Sequence, residues 1–255
     1  MNKIIYIFLL CTAPMFLHAG EASALGEAKI AADSAYVNGN YSEAIEIYEQ
    51  IIADENESAD LYYNLGNAYY KADNIAKAIL NFERALLLSP SDDDIKFNLE
   101  LARSKTVDKV APTHKFFLVS WIESIVNLLG MHTWAVAAVV AFIIFLATAL
   151  LFLFGKNIVM RKACFAVALV SLFATFFAHM SALHLYHYLT VRNDAIIVQP
   201  SVTAKSTPSN SGTDLFVIHE GRKVKISDDS MREWKEIELE DGNIGWVPTA
   251  SLENI

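Results

Sequence analysis

Cysteine is scarce in this 255-residue chain, which contains only Cys11 and Cys164. Both lie in apolar stretches far apart in the sequence, so no structural disulfide is expected. No Cys-x-x-Cys pair supplies the ligand spacing of a zinc site. A phosphate-cradling glycine loop, a Gly-x-Ser-x-Gly elbow and a Ser-x-His arrangement are also missing. The sequence therefore predicts a protein that is not an enzyme and needs no cofactor.

Clustered positive charge is missing as well. Residues 21–111 carry 17 acids and 8 bases, residues 112–190 carry one acid and four bases, and residues 191–255 carry 11 acids and 7 bases. Neutralising phosphates requires grouped Lys and Arg, so this balance argues against a nucleic-acid partner. Hydrophobic residues make up 54% of the chain, which is more than an ordinary soluble domain contains. We therefore expect this chain to bind proteins and to associate with a membrane.

The N-terminus has the order of a secretory signal peptide. Lys3 precedes an apolar stretch from Ile4 to Leu17, and small residues follow around Ala19. We predict a signal peptide over residues 1–19, and its retention as an uncleaved anchor is the alternative. Both interpretations place the following residues outside the cytoplasm.

The segment Leu25–Pro90 contains an internal repeat. Asn40–Tyr48 aligns with Asn74–Phe82, and the shift between them equals the period of tetratricopeptide repeats. The second copy resembles that family at nearly every signature position, with the small residues Gly66 and Ala78 where two helices approach closely. The third copy supplies one helix, as expected of a terminal repeat.

We predict a tetratricopeptide repeat domain over residues 21–106, made of two repeats and a capping helix. The resemblance implies a partner-binding groove on the concave face, lined by the first helix of each repeat. The predicted groove residues are Lys29, Asp33, Tyr36, Tyr63, Asn67, Tyr70 and Lys71. A clamp for a terminal carboxylate is only partly present, because Asp33 stands where such a clamp would use Asn. Simple solvation of several of these side chains is the alternative.

Two uncharged stretches, Thr133–Phe154 and Ala163–His184, are each long enough to cross the hydrocarbon core of a bilayer. We predict transmembrane helices at 132–154 and 163–187. The intervening link, Gly155–Lys162, carries three positive residues, which favours the cytoplasmic side. The modules before and after the hairpin should then lie outside the cytoplasm.

A shorter apolar segment precedes the first span. Its polar residues Ser120, Glu123, Ser124 and Asn127 recur at steps that place them on one stripe of a helix. We predict a helix over residues 115–130 that lies in the membrane interface. An N-terminal extension of the first span is the alternative.

The last part of the chain, residues 191–255, has the pattern of a small β-domain. Short alternating runs predict strands at Ala195–Val198, Val224–Ile226, Trp234–Leu239 and Gly245–Pro248, with a hairpin turn at Asp241-Gly242-Asn243. The order of these motifs resembles the bacterial SH3 family. Val202–Ser209 resembles a loop of that family, although Thr203-Ala204-Lys205 replaces its Asn-Val-Arg. Trp234 and Trp246 fit the barrel core and rim better than a binding platform.

Three histidines, His179, His184 and His187, cluster near the outer end of the second span and share a broad helical face. A haem or metal site for a redox protein is one interpretation. The other is the ordinary enrichment of amphipathic rings where a span meets water.

These features together predict a multidomain membrane protein with all-α tetratricopeptide repeats, a two-helix transmembrane hairpin and a small all-β SH3-like barrel. This order resembles the E component of the aerotolerance (Bat) operon proteins. The resemblance implies a scaffold in the bacterial cytoplasmic membrane, with both flanking domains on the periplasmic side. It also implies that the protein works beside von Willebrand A-domain membrane proteins and a MoxR-type ATPase. A sensor that binds peptidoglycan through the SH3-like domain is the alternative.

Overall fold

The computed structural model describes residues 25–54, 57–108, 117–190 and 192–255. The predicted signal peptide lies outside these residues. The chain divides into two compact units: Met1–Val110 with Asn193–Ile255, and Ala111–Arg192. The N-terminal helices and the C-terminal sheet therefore belong to the same unit.

The N-terminal helices follow the predicted repeat. They are α1 (residues 25–37), α2 (Tyr41–Ala53), α3 (Ala59–Lys71), α4 (Ile75–Leu88) and α5 (Asp93–Arg103). The hydroxyl of Ser58 caps α3 by accepting from the N–H of Leu61, and the carboxylate of Asp92 caps α5. Helix α4 ends at Leu88, before Pro90, which has no N–H to continue it.

The turns inside the two repeats are the same turn, built twice. Gly39 and Asp73 occupy equivalent positions of the two repeats, and both have a positive φ, at 82° and 62°. The next residue in each turn donates its N–H backwards, from Asn40 to the Ala35 carbonyl and from Asn74 to that of Tyr69, at 2.9 Å in both. These bonds close the first helix of each repeat and direct the chain into the second.

Small residues let the helices of a repeat pack closely. Ala44 and Ala78 are fully buried. A Cβ atom on Gly66 would lie 2.7 Å from the ring of Phe82, so only glycine allows α3 and α4 this approach. Leu65 and Tyr69 fill the same core, as the repeat pattern predicts.

The C-terminal sheet, called the β-domain below, contains seven antiparallel strands. They are β1 (Asp194–Ile197), β2 (Ser201–Lys205), β3 (Asp214–His219), β4 (Lys223–Asp228), β5 (Trp234–Glu238), β6 (Ile244–Pro248) and β7 (Leu252–Asn254), in the spatial order β3-β2-β6-β5-β4-β1-β7. Gly242, with a φ of 84°, forms the tight turn between β5 and β6.

The interpretation of Val202–Ser209 as a loop was wrong for its first half, which lies in β2, whereas residues 206–209 form no strand. Val202 and Ala204 alternate into the core, which is the period of a strand. The register shifts after Ala204, and Lys205 then pairs with Trp246 of β6. Strand β2 therefore pairs with β3 along its length on one edge and with β6 at Lys205 on the other edge.

The second unit consists of α6 (Phe117–Val126), α7 (Met131–Phe154) and α8 (Ile158–Thr190). Helices α7 and α8 are long and apolar enough to cross a membrane. The buried residues of these two helices are mostly small: Ala138, Ala168, Ser171, Ala178, Ser181 and Ala182. Small side chains allow apolar helices to pack closely without a large hydrophobic driving force. The indole N–H of Trp134 in α7 donates to the carbonyl of Val126 at 2.8 Å, which joins α6 to the pair.

Several predicted boundaries differ from those observed, and the helix predicted over residues 115–130 ends at Val126. The second long helix starts at Ile158 rather than at residue 163, because Asn157 caps it by accepting from the N–H of Val159 at 2.9 Å. The predicted link Gly155–Lys162 therefore shrinks to residues 155–157. Arg161 lies in the first turns of α8 and donates to the carbonyl of Phe152 at 3.1 Å.

Candidate partner-binding groove

The centre of the predicted groove joins α3 to α5. The side-chain amide of Asn98 in α5 donates to the hydroxyl of Tyr63 and to the side-chain Oδ1 of Asn67, both at 2.9 Å. Tyr63 also packs beside Phe82, with 6.0 Å between the ring centroids. Two predicted groove residues are thus brought together, and a third polar side chain that the sequence interpretation missed holds them in place.

The first repeat contributes a charged pair that is already satisfied. The ammonium of Lys29 lies 3.3 Å from the carboxylate of Asp33, one helical turn away. Asp33 also accepts a hydrogen bond from the hydroxyl of the buried Tyr48. Burial and this bond to Asp33 raise the pKa of Tyr48, so its hydroxyl stays protonated as a donor. Asp33 is consequently engaged within the domain, and a carboxylate clamp is not formed at this position.

Aromatic rings and lysines lie near the C-terminal ends of α1 and α3. Tyr36 packs edge-on against Tyr41, with centroids 5.5 Å apart, and burial raises its pKa. The ammonium of Lys105 lies 4.1 Å from the ring centroid of Tyr70, a cation–π distance. Lys71 is exposed at the end of α3. This end of the groove is therefore basic and aromatic.

The repeat period identifies groove residues that the sequence interpretation omitted. One period after Tyr63 lies Phe97, and one period after Asn67 lies Leu101, both on α5. Phe97 is 68% exposed and Leu101 is 41% exposed. The third helix was interpreted as a cap, and its own repeat positions were not followed. These two apolar side chains form an exposed hydrophobic part of the groove on α5.

The three predicted histidines lie on the surface of α8. His179, His184 and His187 are all exposed there. In the described part of the chain, no group of three or more His, Cys, Asp or Glu side chains could hold a metal ion. The interpretation as a haem or metal protein gains no support from their placement.

The two tryptophans of the β-domain are half-buried. Trp234 and Trp246 lie on neighbouring strands, opposite Pro248 and Glu236, and neither belongs to the buried cluster that forms the domain core. The core consists of aliphatic side chains such as Ile237 and Val247. The tryptophans therefore occupy the margin of this core.

Comparison with known proteins agrees with the helical geometry. A family model described as "Tetratricopeptide repeat" matches residues 31–93. The proteins named tetratricopeptide repeat protein 16 of Macaca fascicularis and of Homo sapiens are each 30% identical to the chain over 70 residues. That segment is 28% of this chain, and the chain spans 8% of the length of these curated relatives. The helices α1–α4 and the start of α5 thus contain tetratricopeptide repeats, which are modules for protein–protein interaction.

Proposed function

We propose that this protein is a non-enzymatic, membrane-anchored scaffold that holds a segment of a partner protein in its tetratricopeptide groove. The observation that carries the proposal is the row of exposed and half-buried side chains across successive first helices. Phe97 and Leu101 offer apolar contact area, and Tyr63 and Asn67 beside them offer hydrogen-bonding groups. Aromatic anchors next to adaptable polar groups are typical of surfaces that bind peptides.

Membrane anchoring is supported by the second unit. Large apolar side chains on α7 and α8, among them Val139, Ile143 and Leu169, are exposed within the protein. Water would disfavour so much contiguous apolar surface, whereas lipid would cover it. Two adjacent helices of this length are suited to a transmembrane hairpin.

Packing within the first unit supports the placement of both flanking domains on one side of the membrane. The N-terminal helices contact the β-domain, although the two proposed spans separate them in sequence. Two crossings return the chain to the side from which it started. The signal-like N-terminus and the positive residues Lys156, Arg161 and Lys162 favour the periplasmic side for both domains.

The order of these parts underlies the finer proposal. We infer an E-type protein of the aerotolerance operon group, in the cytoplasmic membrane, with an SH3-like barrel as its β-domain. Its partners would then be von Willebrand A-domain membrane proteins and the associated MoxR-type ATPase system. This finer identity rests on the resemblance of the sequence.

Co-purification tests the groove. The double variant Phe97→Ser/Leu101→Ser removes exposed side chains, so the fold should tolerate it better than a change at Tyr63, which packs against Phe82. We expect the double variant to lose the partner proteins that co-purify with the wild type in mild detergent.

The matched control is Met231→Ser/Ile244→Ser, which removes two apolar side chains of the β-domain with 45% and 50% exposure. It should keep its partners, and both variants should keep the wild-type circular dichroism spectrum. Full co-purification with the folded groove variant would contradict the proposal.

A further inference from the structure

In the part of the chain that the structure describes, the third tetratricopeptide repeat contributes one helix, α5, to the first unit. In a helical repeat array each unit is covered by the next, and the last unit needs a cap with a polar outer face. After α5 (Asp93–Arg103) no second helix follows in the described residues of the first unit. Even so, the outward faces of α4 and α5 are closed: Ile79, Leu80 and Leu99 are all at most 2% exposed.

The β-domain supplies apolar side chains to this surface. Ile196 of β1 is fully buried, and Ile255 at the C-terminal end of the sequence is 6% exposed. Both belong to the same buried cluster as Ile79 and Leu99, rather than to the core of the β-domain. Burial of these two isoleucines away from water stabilises the contact.

A charge network lies within the same contact. Glu83 of α4 is only 5% exposed and binds two cations, Arg103 of α5 and Lys223 of β4. The distance from Glu83 to the ammonium of Lys223 is 3.1 Å, and Asp194 lies 3.0 Å from the same ammonium. Burial works against the charge on Lys223, but these two carboxylates outweigh it and raise its pKa. A carboxylate as buried as Glu83 requires these partners.

Side chains of α4 contact the edge of the sheet. Strand β7 is the last strand of the sheet, and its outer side would otherwise expose unpaired backbone groups. The guanidinium of Arg84 donates to the carbonyl of Asn254 at 2.6 Å, and the ammonium of Lys77 lies 2.5 Å from the carboxylate of Glu253. Two side chains of α4 thus bind one backbone carbonyl and one carboxylate at this edge of the sheet.

The chain that follows α5 is held by the same domain. The carboxylate of Asp108 accepts from the backbone N–H of His219 at 2.8 Å and lies 2.9 Å from its Nδ1. Gly221, in the β3–β4 turn, lies against Thr106 and Ile79 so closely that a Cβ atom would come within 2.6 Å and 2.9 Å of their methyl groups. The contact therefore includes both α4 and the segment that follows α5.

We propose that the β-domain is the C-terminal cap of the tetratricopeptide array, covering the faces of α4 and α5 that would otherwise be open to water. In this role Glu83, Arg103 and Lys223 are positioning residues. They fix α5, whose other face carries Phe97 and Leu101 of the groove. The cap itself does not depend on the proposed function, since it concerns contacts inside one unit.

Hydrogen exchange of the full-length protein in detergent micelles tests the cap. The variant Lys223→Met keeps the aliphatic stem and removes the ammonium, which leaves Glu83 with one cation instead of two. We expect the amides of α5 to exchange about tenfold faster, because part of a buried pair is lost and local opening becomes easier. Lys223→Arg should restore slow exchange.

The matched control is Lys225→Met on the same strand, since Lys225 is exposed and pairs with Glu238 inside the β-domain. It should leave α5 unchanged. Faster exchange confined to β4 in Lys223→Met would show a local role in the sheet and overturn the proposal. If Lys223→Met destabilises the whole first unit, Asp108→Asn replaces it as the test, because Asp108→Asn weakens the bonds between the segment after α5 and His219. Unchanged exchange at residues 99–106 in Asp108→Asn would then overturn the proposal.

Discussion

Gly221 gives a direct estimate of how tightly the β-domain docks on the helices. Its φ is 80°, a conformation that costs an L-residue about 1–2 kcal/mol. The substitution Gly221→Ala also places a methyl group 2.6 Å from the Cγ2 of Thr106 and 2.9 Å from the Cδ1 of Ile79. Because Ile79 is fully buried and has little room to move, overpacking should add about 1–3 kcal/mol. The expected loss is about 2–5 kcal/mol in total.

Gly242 is the matched control for this substitution. It has nearly the same φ, 84°, but a Cβ atom there would meet nothing within 4 Å. Gly242→Ala should therefore cost only the backbone contribution, about 1–2 kcal/mol. The free energy of local opening, measured by native-state hydrogen exchange at α4 and β4, gives both values. Equal losses for the two alanine variants, or a loss at Gly221 that does not reach α4, would refute the docking described above.

Two further predictions concern pH and membrane topology. Burial alone would raise the pKa of Asp108, but the hydrogen bonds from His219 hold it below its usual value of 3.8. Its stabilising contribution is therefore present above about pH 4 and is lost as the pH falls through the lowered pKa. Acid unfolding curves should show a shallower loss in this range for Asp108→Asn than for the wild type, and parallel curves would contradict this. Single cysteines can replace the exposed residues Asp73, Lys156 and Asp241 in a cysteine-free background. On intact spheroplasts, a membrane-impermeant maleimide should label the cysteines at positions 73 and 241 and not the one at position 156. Labelling at position 156 alone would show the inverse topology.

The helical repeats could be predicted because their signal is local and occurs twice. The shift that aligns Asn40 with Asn74 identifies the turns of both repeats, and the small residue Gly66 marks the close approach of two helices. The same shift also leads to Phe97, but only when the single helix of the third repeat is treated as part of the groove as well as a cap.

The contact between the helices and the β-domain could not be predicted in the same way. Glu83 and Lys223 are 140 residues apart, and each has the sequence context of an ordinary solvated charge. Ile196 was correctly placed in a strand, yet no local pattern indicates that it packs on helices instead of in its own domain. Strand β2 was missed because the resemblance of Val202–Ser209 to a loop outweighed its alternating pattern.

Site-specific photo-crosslinking from Phe97 tests the groove most directly. A photoreactive phenylalanine analogue at this exposed position should yield a discrete adduct with a partner protein in membranes. The adduct should disappear when Leu101 is changed to Ser, and the same analogue at Ile244 of the β-domain should give none. No adduct from Phe97, or an adduct that persists unchanged without Leu101, would contradict the account of the groove as the binding surface.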